Sequence, residues 1–118
     1  MRGQLQRGKW RLQDNGIGIQ ELSLDFTSGQ PVYQVKLRLR EFSGEIGLNG
    51  SYGAGLDAGT PVFTRGGWKD PTTLQLEQHW PEEGGQLFYE IRFDGQDIEF
   101  THTNMFGARG VVRGRKIE

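Results

Sequence analysis

The chain has 118 residues, a formal net charge of −1, 19 glycines and no cysteine. That length holds one small core rather than two, and near-neutrality argues against a nucleic-acid or anionic-membrane partner. Missing thiols exclude disulfides, thiolate nucleophiles and sulfur-ligated metals.

In chain order, residues 1–7 are expected to form a loose leading segment, and Met1-Arg2-Gly3-Gln4 lacks the apolar core of a signal peptide. No helical periodicity persists beyond about two turns, whereas period-two alternation recurs. A first strand is predicted near 8–14. Leu22, Leu24 and Phe26 alternate with Ser23 and Asp25, predicting a strand near 20–27, and Tyr33, Val35, Leu37 and Leu39 alternate with polar residues near 31–41. Strands are also predicted near 45–52 and 61–68. Between them, Gly53-Ala54-Gly55-Leu56-Asp57-Ala58 matches a permissive dinucleotide-binding pattern. Gly59-Thr60-Pro61 follows at once, so no helix can start there and the segment reads as a loop. Leu74 and Leu76 lie in a strand near 72–80, and Leu87, Tyr89, Ile91 and Phe93 in one near 86–94. The run near 97–104 follows, and a ninth segment, 109–117, is available to close or extend the sheet.

Turn-forming clusters separate these runs at Ser28-Gly29-Gln30-Pro31, Lys69-Asp70-Pro71-Thr72, Glu83-Gly84-Gly85 and Asp94-Gly95-Gln96. The reading is a single all-β domain over 1–118. It is an antiparallel up-and-down barrel of about eight strands, lipocalin-like in architecture, with a sandwich as the alternative. No apolar run approaches the roughly 20 residues that span a bilayer as a helix.

The Asp94-Gly95-Gln96 hairpin fixes a face. If Gly95-Gln96 is the two-residue turn, Phe93 faces Ile98, Ile91 faces Phe100 and Tyr89 faces His102; a slip of two would put Leu87 opposite His102 instead. Either register leaves His102 inward. His79 is out of phase with Leu74 and Leu76 and should point outward.

Catalytic patterns are missing. None of Ser23, Ser28, Ser43 and Ser51 has a lysine three residues on, and there is no Gly-x-Ser-x-Gly elbow. With two histidines on opposite faces, neither a Ser-His-Asp triad nor a histidine zinc site assembles. The carboxylates sit mostly at turns or on polar faces. The expectation is a non-enzyme with no metal and no cofactor. In an up-and-down barrel of eight strands, the ends at 26, 80 and 102 and the starts at 33 and 87 share one opening. Phe26, Tyr33, Gln78, Trp80, Leu87, Tyr89 and His102 are therefore the candidate ligand-binding mouth. Large residues at nearly every inward position favour a barrel plugged by its own side chains.

Several segments carry a family resemblance. They are Gly8-Lys9-Trp10-Arg11-Leu12, Gly18 to Phe26, Gly47-Leu48-Asn49-Gly50, Gly67 to Leu74, Tyr89 to Gly95, and Phe106 to Arg115. This succession resembles the C-terminal lipocalin-like β-barrel domain of bacterial serine hydrolases of the class C β-lactamase and penicillin-binding-protein type. The resemblance implies an extracytoplasmic setting and a catalytic domain as partner, on the same or a neighbouring chain. The family's Ser-x-x-Lys, Tyr-x-Asn and Lys- or His-Thr-Gly elements are absent here, so it carries over no catalytic residue.

Two functions follow as expectations. The first is a non-catalytic accessory module packed on a hydrolase domain, shaping access to it or supporting a homodimer, with outward Phe88 on its docking face. The alternative is a stand-alone lipocalin-like binder of a small hydrophobic ligand.

Overall fold

Each of the four clearest alternating runs forms a strand in the computed structural model, which describes residues 7–15, 18–27, 29–48 and 50–117. Ten strands follow one another: β1 (Arg7–Leu12), β2 (Ile19–Asp25), β3 (Val32–Leu37), β4 (Glu41–Glu45), β5 (Gly53–Asp57), β6 (Thr60–Asp70), β7 (Thr73–Trp80), β8 (Gly85–Asp94), β9 (Asp97–Asn104) and β10 (Arg109–Lys116). Each pairs antiparallel with the next, and β10 returns to β1 through Trp10↔Lys116, Arg11↔Arg115 and Leu12↔Gly114, so the sheet closes into a barrel. Among the described residues, closure leaves no unpaired edge. Of the segment expected to be loose, 1–6 lie outside the described residues, and Arg7 opens β1.

The up-and-down barrel is as expected, but it has ten strands rather than about eight. The predicted strand at 31–41 is really β3, a tight turn closed by Leu37 N–H donating to Arg40 O, and the start of β4. Most of the predicted strand at 45–52 is the β4–β5 connection, and the glycine-rich segment read as a loop is β5. The reason is local crowding. Gly44 and Gly55 face each other across β4 and β5, and a Cβ added to Gly44 would lie 2.6 Å from the Gly55 Cα. Glycine lets the two backbones approach, and it also erases the hydrophobic alternation by which a strand is recognised.

The β8–β9 hairpin turns at Gly95-Gln96, with Phe93↔Ile98, Ile91↔Phe100 and Tyr89↔His102. Gly95 takes the positive φ of 62° that this turn needs. The β6–β7 hairpin turns at Pro71-Thr72, where Asp70 Oδ1 accepts from Thr72 N–H at 2.9 Å. That bond, with others from Thr72 and Thr73, holds the Asp70 carboxyl below its ordinary value.

In-phase side chains fill the interior. One ladder of rings runs from Phe26 to Trp68 (5.8 Å between centroids), Phe93 (5.8 Å) and Trp10 (5.3 Å). A second runs from Tyr33 to Phe42 (6.2 Å) and Trp80 (6.1 Å). Tyr89, Phe100 and His102 form a third group, with centroids 5.1 and 6.3 Å apart. Leu24, Leu74, Ile91 and Val62 are buried among them. These rings occupy the room that a wider barrel would otherwise enclose.

Candidate functional site

Among these rings, and apart from Tyr89 and His102, inward polar groups come from Tyr33 on β3, Asp57 on β5, Thr64 on β6 and Gln78 on β7. Thr64 Oγ1 donates to the Tyr33 hydroxyl at 3.1 Å and accepts from Gln78 Nε2 at 3.1 Å. Trp80 Nε1 donates to Asp57 Oδ2 at 3.1 Å. Gln78 is only 2% exposed and Asp57 6%, yet among the described residues Gln78 Oε1 and Asp57 Oδ1 accept no hydrogen bond. Buried polar atoms are normally satisfied, so two orphan acceptors in one barrel call for a reason. Asp57 has a counter-charge in Arg40, whose Nε lies 3.4 Å from Oδ1, but the guanidinium side chain is 55% exposed. Burial raises the Tyr33 pKa, partly offset by the bonds to Thr64 and Gln78. A third unpartnered buried atom, Trp10 Nε1, is a donor on β1 packed against Phe93.

The seven predicted mouth residues do not share one opening. The unrecognised strand β5 inverts the direction of every later strand. The turns β1–β2, β3–β4, β5–β6, β7–β8 and β9–β10 lie at one end, here the upper, and the turns β2–β3, β4–β5, β6–β7 and β8–β9 at the lower. Trp80 and Leu87 border the upper turn 81–84, and His102 and Tyr89 lie just below that end, paired across β8 and β9. Phe26 follows β2 at the lower end and packs on Trp68, away from the rest. Tyr33 starts a strand at the lower end but reaches Thr64 and Phe42, which join it to Gln78 and Trp80. What the fold brings together is thus Tyr33, Gln78 and Trp80, with Asp57, Thr64, Phe42 and Arg40 added.

The added residues were legible only in part. Thr64 is in phase with Val62 on a predicted strand. Asp57 is in phase with Gly53 and Gly55, a pattern with no apolar residue to mark it, and the alternation over 31–41 predicts Arg40 inside a strand rather than at the β3–β4 turn.

His102 is inward and half-buried, with its ring over Gly110, where a Cβ would come within 2.5 Å of Nε2. Burial lowers its pKa. Burial also pushes the Tyr89 hydroxyl pKa far upward. Neither residue forms a nucleophile–base pair with a neighbour, and among the described residues no three His, Asp or Glu side chains cluster to hold a metal.

The outer wall carries ionic ladders. Glu77 accepts from Tyr52 Oη at 2.9 Å, Arg65 Nη2 at 3.1 Å and Gln86 Nε2 at 3.1 Å, and the Arg65 guanidinium lies 4.7 Å from the centre of the Tyr52 ring. Burial opposes ionisation of Glu77, but these bonds and the Arg65 charge outweigh it and lower its pKa. The group pins the β4–β5 connection to the wall. Two broad concavities of about 720 and 850 Å³ are lined mainly by outward residues, the first including Arg65, Glu77 and Phe88. Phe88 is outward and 39% exposed, but its ladder neighbours are Glu77 and Thr103. The contiguous apolar docking face expected of an accessory module is not centred there.

No protein-family model and no curated protein matches the sequence. Among solved structures, the barrel is similar to secretory abundant heat soluble protein 4 from Ramazzottius varieornatus. The TM-score is 0.64 and the identity 15%, over 83% of this chain and 70% of that one. At that identity the likeness is one of fold. It replaces the resemblance to serine-hydrolase barrel domains, which is withdrawn together with the bacterial setting that it implied. The strand-turn segments that carried that resemblance recur wherever short strands meet glycine-rich turns, so their order was weak evidence of family.

Proposed function

We propose that this protein is a non-catalytic β-barrel that binds a small, largely apolar molecule at its upper end, held by a hydrogen-bond donor on the ligand. The observation that carries the reading is the pair of buried, unpartnered acceptors, Gln78 Oε1 and Asp57 Oδ1, in a corner whose rings are Tyr33, Phe42 and Trp80. An unsatisfied buried polar group costs about 1–3 kcal/mol, and a ligand donor would recover that energy on binding. The ligand must be small, because Phe26, Trp68, Phe93 and Trp10 already occupy the lower half. Arg40 covers Asp57 from a largely exposed position, beside Leu39, which is 94% exposed and offers apolar contact at the rim.

The fold likeness to a protein that is not a hydrolase domain supports a stand-alone barrel over a hydrolase accessory module. The experiment is a titration of the protein with 1-octanol and cyclohexanol, following the Trp80 indole N–H by NMR. Saturable movement of that resonance, weakened at least tenfold by Gln78→Leu, is expected. Movement that is unsaturable, or indifferent to Gln78, would remove the reading.

A further inference from the structure

Resting on that reading of the upper-end corner, we infer that its ligand carries a cationic head, a protonated primary amine or similar organic ammonium on an apolar body. The corner is built around a negative charge. Asp57 is 6% exposed, and a carboxylate taken out of water needs a counter-charge. Arg40 supplies one loosely: Nε is 3.4 Å from Oδ1, no hydrogen bond is formed at that atom, and the Arg40 side chain is 55% exposed. Contacts made by such exposed side chains are easily given up to water. Asp57 cannot do without a cation, but Arg40 can do without Asp57.

Exchanging Arg40 for an ammonium keeps the carboxylate paired. It also brings the three N–H donors of the ammonium to Asp57 Oδ1, which lacks a donor among the described residues. The walls suit the same charge. Trp80 is bonded to Asp57, and Phe42 stands edge-on between Trp80 and Tyr33; aromatic rings beside a carboxylate are the surroundings in which organic ammonium ions are held. A neutral head displaces Arg40 only by stranding the carboxylate, and an anionic head sets a like charge against it. Selectivity should therefore run amine over alcohol over carboxylate.

The test is to titrate the full chain at pH 7 with n-octylamine, 1-octanol and octanoate, each below its aggregation limit. Calorimetry gives the affinities, and NMR separates the Trp80 indole N–H from those of Trp10 and Trp68. Octylamine is expected to bind at least tenfold more tightly than octanol, with octanoate weakest, and to move Trp80 most. Asp57→Asn, which keeps an acceptor for Trp80, should bring octylamine down to the level of octanol. Arg40→Ala, which removes the competing cation, should tighten octylamine several-fold. Equal binding of all three, or a preference for octanoate, overturns the ammonium assignment and leaves the apolar-ligand reading standing; binding of none overturns both. Should Asp57→Asn lose its native NMR dispersion, the exposed Arg40 variant decides, and unchanged or weakened octylamine affinity overturns the inference.

Discussion

Thr64 is the residue on which the interior polar chain hangs, and its replacement by valine separates a structural role from a binding one. Valine matches threonine in shape but strips away both bonds of Oγ1, the one to Tyr33 and the one from Gln78. Gln78 then loses the Thr64 acceptor of one amide N–H and keeps only its contact with Tyr33, while its oxygen stays unpartnered, at a position 2% exposed. Stranding that donor costs about 1–3 kcal/mol, and the added methyl returns about 0.8 kcal/mol. Thr64→Val should therefore destabilise by about 1–2 kcal/mol, or roughly 4–8 °C in Tm at this chain length. Gln78→Leu should behave in the opposite way. It removes the stranded oxygen together with the nitrogen and leaves the Thr64–Tyr33 bond intact, so the change should lie between neutral and about 1 kcal/mol stabilising. In the double variant Thr64→Val should cost little more, giving a coupling of about 1–2 kcal/mol between the two sites. Urea unfolding followed by tryptophan fluorescence and by far-UV circular dichroism measures all four proteins, and coincident transitions license the comparison. Additive effects, or a Gln78→Leu variant less stable than the parent by more than about 1 kcal/mol, would refute the reasoning.

Phe26→Ala should lower stability by about 1–3 kcal/mol by breaking the lower ring ladder, yet leave affinity for an upper-end ligand within twofold by calorimetry. Gly55→Ala sets a methyl against the backbone of β4, 2.8 Å from the Gly44 Cα, and should cost about 1–3 kcal/mol in urea unfolding. Gly67→Ala, with nothing within 4 Å of its added methyl, is the near-neutral control. His102 has a folded-state pKa lowered by burial from the ordinary 6.5, so the unfolded chain takes up the proton first as pH falls. Its contribution to stability is complete above about pH 6.5 and declines below it, and stability measured against pH should lose that slope in His102→Gln.

How much of this was legible in the sequence depended on whether inward positions carried side chains large enough to mark a phase. On β8 and β9 they did: Leu87, Tyr89, Ile91, Phe93, Ile98 and Phe100 fix face and register together, and a two-residue turn permits few alternatives. On β4 and β5 the inward positions include Gly44, Gly53 and Gly55, so no alternation shows and a strand is lost from the count. One lost strand is a small error in fold class and a large one in site geometry, because the end of the barrel at which a residue lies depends on the parity of the strands before it. Counting eight strands groups Phe26 and Tyr33 with Trp80 and His102 at one opening, whereas ten strands set the two pairs at opposite ends. Gln78 and Trp80 remained in the site because they are adjacent inward positions on one strand, a relation that parity does not touch.

The interior divides along the same axis. Its lower half is filled by apolar rings and aliphatic side chains, apart from the indole nitrogen of Trp10, and those contacts serve cohesion. Its upper half holds Asp57, Thr64 and Gln78 at positions where leucine or valine would bury as well. A carboxylate paired from outside by a half-exposed arginine, and a buried amide with an idle oxygen, are a poor way to stabilise a barrel, since apolar replacement of such groups is often neutral or better. Local departures from good packing concentrate where a protein meets something else. If the corner served the fold alone, the Thr64 and Gln78 variants would weaken the barrel alike. Opposite signs, with ligand affinity falling only when Gln78 is removed, are what a binding corner demands.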